Sequence, residues 1–530
     1  MRSQPRKFQR AGLLLLLLLL LSSVLGGCNL GFGTGSSANT LTVLAGSELR
    51  DIEPLLPEIE RATGYRLELR YVGTLNGAEQ LQAGEQVDLA WFSHGKYISL
   101  LEGTRVRAQE RIMLSPVVMG VKESKAREFG WIDTPLTWRD IAAKAESGEL
   151  RFAMTNPTAS NSGFTALVGV AAAFADTGNA LTIADIQTEA LQGFFKGQTL
   201  TAGSSGWLAE SYVRDQDTLD GMINYESVLL SLNKGNQLRD KLVLIYPTDG
   251  IITADYPLML INEDKREAYN AVVAFLRTPD MQEKLMTQTL RRPAVPGVRL
   301  SNEFPTNVLV ELPFPNSKEV IDALLFSYLN EQRVPATAIF VLDVSGSMAG
   351  DRIQQLRTSL ENLTGADTSL TGQFATFRNR ERLVFLSFAE TIKDRRDFEI
   401  TDTAAQDGTL DEIREYIRSL DADGGTAIFG SLVEAYTIAQ EAQAADPDRY
   451  YSIVLMSDGE NTEGIDQRDF VRFYEQLPAD ARNIHTFTIL FGNADEGELE
   501  SIAELTGGRL FDASSSTSLA SIFKEIRGYQ

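Results

Sequence analysis

Cysteine and histidine are almost absent from this chain, and both absences narrow its chemistry. The 530 residues include one cysteine, Cys28, and two histidines, His94 and His485. A single thiol allows no internal disulfide and no thiolate metal cluster. Two histidines leave no histidine-rich zinc site, and a Ser-His-Asp hydrolase would have to rest on one of them. The Gly-x-Ser-x-Gly turn that presents a nucleophilic serine is missing as well. Nor is there a basic surplus: the formal net charge is −23. With nothing in excess to neutralise phosphates, the composition argues against nucleic-acid binding. Acidity of this kind serves solubility. Long apolar stretches are equally scarce, and the one near the start, residues 11–25, falls short of the ~20 residues a membrane span needs.

That short run reads as an address. Arg2, Arg6, Lys7 and Arg10 precede nine consecutive leucines at 13–21, the pattern of a secretory signal covering residues 1–27. It ends in Leu25-Gly26-Gly27-Cys28, which resembles the lipobox of bacterial lipoproteins. In those proteins small residues precede a cysteine whose thiol takes a diacylglycerol. The resemblance implies lipidation at Cys28 and a chain held at the cell membrane, on its extracytoplasmic face. The stretch Gly31-Phe32-Gly33-Thr34-Gly35-Ser36-Ser37 reads as a flexible tether within 28–40.

After residue 40, short β-branched runs alternate with helical stretches, an α/β pattern, and the length calls for more than one core. Strands are expected at 41–44, 66–72 and 87–92, and a helix at 52–63 ending at Gly64. Pro305, Pro313 and Pro315, then a helix at 317–331, lead to Pro335. A fresh buried strand at 336–342 follows, which divides the chain into 41–330 and 336–530.

The strand that opens the second part runs into Asp343-Val344-Ser345-Gly346-Ser347. Ligand loops gather at the carboxyl ends of such strands. One carboxylate and two hydroxyls there are hard oxygen donors of the kind Mg²⁺ prefers. Downstream, Asp423-Gly424-Gly425-Thr426 opens a helix at 427–442, and the strand 451–456 ends in Ser457-Asp458-Gly459. A further strand is expected at 484–491. Together the three loops resemble the metal-ion-dependent adhesion site of the von Willebrand factor A family. The resemblance implies a doubly wound, Rossmann-like domain over 336–530. It also implies a divalent ion (Mg²⁺, or Mn²⁺ or Ca²⁺) at Asp343, Ser345, Ser347, Thr426 and Asp458, directly or through water, and a protein partner that offers an acidic residue to it. A water-activating role lacks a general base, the only nearby candidate being Glu460, which reads as a solvated loop residue.

The first part resembles the extracytoplasmic solute-binding proteins, two-lobed and built from parallel sheets, which implies a periplasmic-binding-protein-like fold of type II. Leu41-Thr42-Val43-Leu44-Ala45-Gly46-Ser47-Glu48 looks like their first strand and ligand loop. Gly73-Thr74, Asp88-Leu89-Ala90-Trp91-Phe92-Ser93 and the segment from Thr155 to Gly163 look like later ones. Crossovers between lobes are expected near 115–121 and after Tyr246-Pro247-Thr248-Asp249-Gly250. Ser160-Asn161-Ser162-Gly163 opens a helix at 164–175, whose free N–H groups attract negative charge, unless Ser160 or Ser162 simply caps it. With Ser47, Thr74 and Ser93 as further donors, the cleft is expected to take a small oxyanion. The whole reads as a non-enzymatic, membrane-tethered binding protein. Its rivals are the receptor of an oxyanion transport system with an accessory A-type domain, and a metal-dependent hydrolase.

Overall fold

A computed structural model of the chain describes residues 39–305, 309–401, 406–492, 494–513 and 518–530. The signal segment, Cys28 and most of the tether lie outside the described residues. Among the described residues no helix is long and apolar enough to cross a membrane.

The chain begins with β1 (Thr40–Ala45), β2 (Arg66–Tyr71) and β3 (Leu89–Trp91). β1 pairs in parallel with both neighbours. The expected helix after β1 is longer and less regular. It starts as a 3₁₀ segment, Ser47–Leu55, and turns α-helical only at Leu56–Thr63, with Gly64 left-handed at its end. Pro54 has no N–H to give to an α-helical ladder, which accounts for the tighter start.

β4 (Ala108–Arg111) is followed almost at once by β5 (Met113–Lys122), which belongs to a second sheet. The first crossover therefore lies at Ile112, just ahead of the expected place. The second sheet adds β6 (Phe152–Thr155), β7 (Gln198–Ala202), β8 (Gly221–Tyr225), β9 (Leu242–Ile245) and β10 (Thr253–Ala254). β11 (Pro257–Leu260) then returns to the first sheet, between β3 and β4, and β12 (Arg292–Pro293) pairs with β5. Both sheets are mixed, not purely parallel: β11 is antiparallel to its two neighbours, and β5 is antiparallel to β8. Strands that close a lobe after a crossover run back against the earlier ones. Against the second sheet packs the helix Asn161–Ala175, buried at fourteen of its positions, as befits a helix with no polar face.

The helix Lys318–Ser327, capped by Ser317, continues as a wider turn through Tyr328–Gln332. It leads to β13 (Ala336–Asp343), buried at all eight positions. With β14 (Glu381–Phe388), β15 (Ile392–Ile400), β16 (Tyr450–Ser457), β17 (His485–Leu490) and β18 (Leu510–Asp512), it forms a sheet ordered β15-β14-β13-β16-β17-β18. All pairs are parallel except the β14–β15 hairpin. Successive β13 side chains enter opposite layers. Phe340 and Leu342 pack with Leu356, Ile413 and Phe523 on one side, Ile339 and Val341 with Leu432, Tyr436 and Phe470 on the other. Helices thus cover both faces, the doubly wound arrangement.

Candidate metal centre and ligand cleft

The carboxyl end of β13 brings the expected loops together. Asp343 is fully buried, and its Oδ1 accepts the backbone N–H of Ser345 at 2.8 Å. Its Oδ2 accepts the Ser457 hydroxyl at 2.5 Å. The Ser345 and Ser347 hydroxyls lie 3.0 Å apart, and Ser347 Oγ donates to Asp458 Oδ1 at 2.7 Å. The Thr426 loop is tied in by its backbone: Gly346 N–H to the Gly424 carbonyl and Asp423 N–H to the Val344 carbonyl, each 2.9 Å. A Cβ on Gly459 would stand 3.7 Å from both Ser347 Oγ and Thr426 Oγ1, so those two hydroxyls face one spot. Gly424 has φ +92°, and a Cβ there would collide with the Glu390 carboxylate; only glycine fits the turn.

The donor set is two carboxylates and three hydroxyls, all hard oxygens, and it suits a small divalent cation. Burial pushes the Asp343 carboxyl above its ordinary value; hydrogen bonds from Ser345 and Ser457 oppose the rise, and the Asp458 charge adds to it. A cation would relieve that repulsion. One cation of the chain is already close: the Arg352 guanidinium ion-pairs with Asp458 Oδ2 and reaches the Ser347 carbonyl at 3.3 Å. No sequence motif marks Arg352 or Ser457 as part of this site. Ser457 stands in the Ser-Asp-Gly triplet, beside the expected ligand Asp458. Arg352 lies on the helix after the loop and carries no motif. Glu460 is exposed, as expected.

The cleft residues meet less simply. Ser93 is the hub: its hydroxyl lies 2.8 Å from the Tyr225 hydroxyl and accepts the Asn161 side-chain amide. Ser162 Oγ lies 2.8 Å from Thr155 Oγ1 and 2.6 Å from Ser205 Oγ, and Gly163 N–H donates to Thr155 Oγ1 at 2.7 Å. A Cβ on Gly163 would stand 2.1 Å from the Thr155 carbonyl, so glycine is what lets this helix approach β6. Ser160 caps the helix by position; its hydroxyl makes no capping bond and lies 3.4 Å from Ser162 Oγ. Thr74 is buried and Ser47 half-buried at their helix starts. Several donors expected to cradle an oxyanion are thus engaged within the protein. The lobes touch here, since a Cβ on Gly73 would lie 2.8 Å from the Ala159 carbonyl. Glu48, Tyr225, Tyr256 and Arg291, none of them picked out as a site residue, complete the surroundings.

Comparison with known proteins separates the chain in the same way. Residues 41–288 match the family of bacterial extracellular solute-binding proteins, and residues 339–525 match the von Willebrand factor type A domain. The chain joins a solute-binding domain to an A-type domain. The inter-alpha-trypsin inhibitor heavy chain H3 of Mesocricetus auratus is 28% identical over 171 residues, 31% of this chain and 18% of that protein. The chain spans less than a fifth of the length of the curated relatives it matches. Among solved structures, the periplasmic binding protein AfuA from Actinobacillus pleuropneumoniae is similar at 13% identity and a TM-score of 0.43, over 55% of this chain and 98% of that one. A von Willebrand factor type A protein from Catenulispora acidiphila is similar at 17% identity and a TM-score of 0.29, over 38% and 43%. The solute-binding domain places the protein outside the cytoplasm.

Proposed function

We propose that this is a membrane-anchored, extracytoplasmic binding protein whose A-type domain captures a protein partner through a divalent ion. Asp343, Ser345, Ser347, Thr426 and Asp458 would hold the ion, Mg²⁺ or else Mn²⁺ or Ca²⁺. The observation that carries this reading is the linkage from Ser345 through Ser347 to Asp458, with the Thr426 loop tied against it. A bound ion would supply an oxygen-seeking position that a partner's Asp or Glu can fill. The chain's part is to hold the donors without supplying enough negative charge to satisfy the ion. Both domains are of classes that bind and do not typically catalyse. Capture of a partner from envelope extracts, with Mg²⁺ and with EDTA in parallel, tests it. Binding is expected in Mg²⁺ only and lost in Asp343→Ala. Equal capture in EDTA would remove the metal from the mechanism.

The anchor is the second element of the proposal. Cys28 would carry lipid, and Cys28→Ala should release the chain from the membrane fraction or leave it unprocessed. A second reading, a receptor for an oxyanion transport system, is favoured by the family match over 41–288 and by the helix start at Ser160. It predicts that sulfate or phosphate raises the melting temperature.

A further inference from the structure

Polar atoms left without partners inside a closed cleft tell what the cleft lacks. Two such acceptors belong to residues beside Ser93, and the Arg291 Nε and Tyr256 hydroxyl donors nearby are unpartnered as well. Glu48 Oε1 is sealed from solvent and has no hydrogen-bond partner, although the residue as a whole is half-buried. Asn161 is only 6% exposed; its Nδ2 donates to Ser93, and its Oδ1 accepts nothing. Both orphans are acceptors, and a buried acceptor without a donor is costly, more so when charged. They come from opposite lobes, Glu48 from the loop after β1 and Asn161 from the helix after β6. Ser93 reaches both.

The charge count agrees. The buried Arg291 is the cation that acts on the Glu48 carboxylate, but its Nη1 donates to Asp51 at 2.6 Å and its Nη2 to the backbone carbonyl of Glu48, with Nε left unpartnered. Among the described residues no ion pair engages the Glu48 carboxylate. Burial pushes that carboxyl above its ordinary value, while Arg291 and Ser93 pull it down. An uncompensated buried carboxylate repels a sulfate or phosphate and welcomes a cation. Tyr225 and Tyr256, with ring centres 6.0 Å apart, wall the same space; aromatic walls also favour cations.

We infer that the cleft takes a small ligand bearing a primary ammonium group, seated on the Glu48 carboxylate of one lobe and the Asn161 side-chain carbonyl of the other. This rests on the reading of the domain as a solute binder and replaces the oxyanion with an amine. The three N–H donors of an ammonium supply what both orphaned oxygens lack.

The test is thermal unfolding of the purified chain with methylammonium chloride, putrescine dihydrochloride or L-alanine, against sodium sulfate and phosphate at matched ionic strength. At least one amine at about 10 mM should raise the melting temperature by about 3 °C or more. Glu48→Gln should cancel that rise while itself melting no lower than wild type, because it removes a buried unpaired charge. Asn161→Leu should reduce the rise in parallel and covers the case in which the Glu48 variant does not fold. A rise with sulfate or phosphate alone would overturn the amine and leave the solute-binding reading standing. No rise with any probe would overturn both. An amine effect that survives Glu48→Gln would overturn the seat.

Discussion

The indole of Trp207 and the phenol ring of Tyr529 meet edge to face across the boundary between the two domains, with ring centres 4.8 Å apart. Trp207 also lies 6.2 Å from the His485 ring, and His485 Nε2 faces Asp215 at 3.5 Å. On the other lobe the Glu79 carboxylate accepts the backbone N–H of Thr371 at 3.1 Å. The A-type domain therefore touches both lobes of the solute-binding domain. Burial of an aromatic pair of this kind is worth about 1 kcal/mol beyond its area. Trp207→Ala should cost about 3 kcal/mol of stability and split unfolding into two transitions, one per domain. Differential scanning calorimetry reads this directly. A single transition of unchanged midpoint would show that the domains do not support each other. A cycle with Tyr529→Leu should return a coupling of about 1 kcal/mol.

Arg352 provides the second prediction. Its guanidinium neutralises Asp458 where a divalent ion would otherwise do so. Arg352→Gln should lower the melting temperature in EDTA, because Asp458 loses its counter-charge beside Asp343. It should enlarge the rise produced by Mg²⁺ or Mn²⁺, since the ion no longer competes with a fixed cation. Identical metal responses in wild type and variant would place Arg352 outside the competition.

The sequence made the loops of the candidate metal centre legible because each follows an apolar strand and carries side chains of one chemical class. β13 and β16 end at Asp343 and Ser457, almost where the apolar runs stop. The doubly wound sheet was readable for the same reason. What local pattern cannot show is pairing between distant segments. The antiparallel insertion of β11, the reach of Glu48 toward Ser93, the Arg352–Asp458 pair and the Trp207–Tyr529 contact all join residues far apart in the chain. Glu48 is instructive: it lies within the first ligand loop, yet a hydroxyl suits an oxyanion and a carboxylate does not, so that expectation points to Ser47 beside it.

His94 makes the fold sensitive to acid. Its ring is buried, stacks on Phe314 with centres 4.7 Å apart, and its Nδ1 accepts the Lys96 backbone N–H. Burial, and then the Lys96 charge, pushes its pKa down from 6.5 to about 3. As pH falls below 6.5 the unfolded chain takes a proton that the folded one refuses. The stability is therefore whole above pH 6.5 and is lost progressively down to about 3. The slope is about 1.4 kcal/mol per unit inside that window. Denaturant midpoints at pH 7.5 and 4.5 should show His94→Asn losing about 3 kcal/mol less than wild type. Parallel losses would mean that His94 does not report the transition.

The last prediction concerns a buried charge that ties the connecting segment to the A-type domain. Glu381 at the start of β14 is 1% exposed and ion-pairs with Arg527 at 2.6 Å and with Arg333. Its second oxygen accepts the Arg378 backbone N–H at 3.1 Å. Burial alone would raise the Glu381 carboxyl, but Arg527 and Arg333 outweigh it and hold it below its ordinary value. Two guanidinium groups pair with this one carboxylate, so removing it leaves buried positive charge with nothing to answer it. Breaking such a pair from one side costs about 3–5 kcal/mol. Glu381→Gln should therefore unfold the A-type domain or bring its melting far down, whereas Arg380→Gln next to it, whose side chain is part-exposed and donates to the Glu331 carbonyl, should cost little. Because Arg333 precedes β13 and Arg527 lies on the last helix, the same substitution should loosen both ends of the domain together. Hydrogen exchange would then rise at residues 328–336 and 519–530 in step. Exchange confined to one of those segments would show that Glu381 anchors that segment alone.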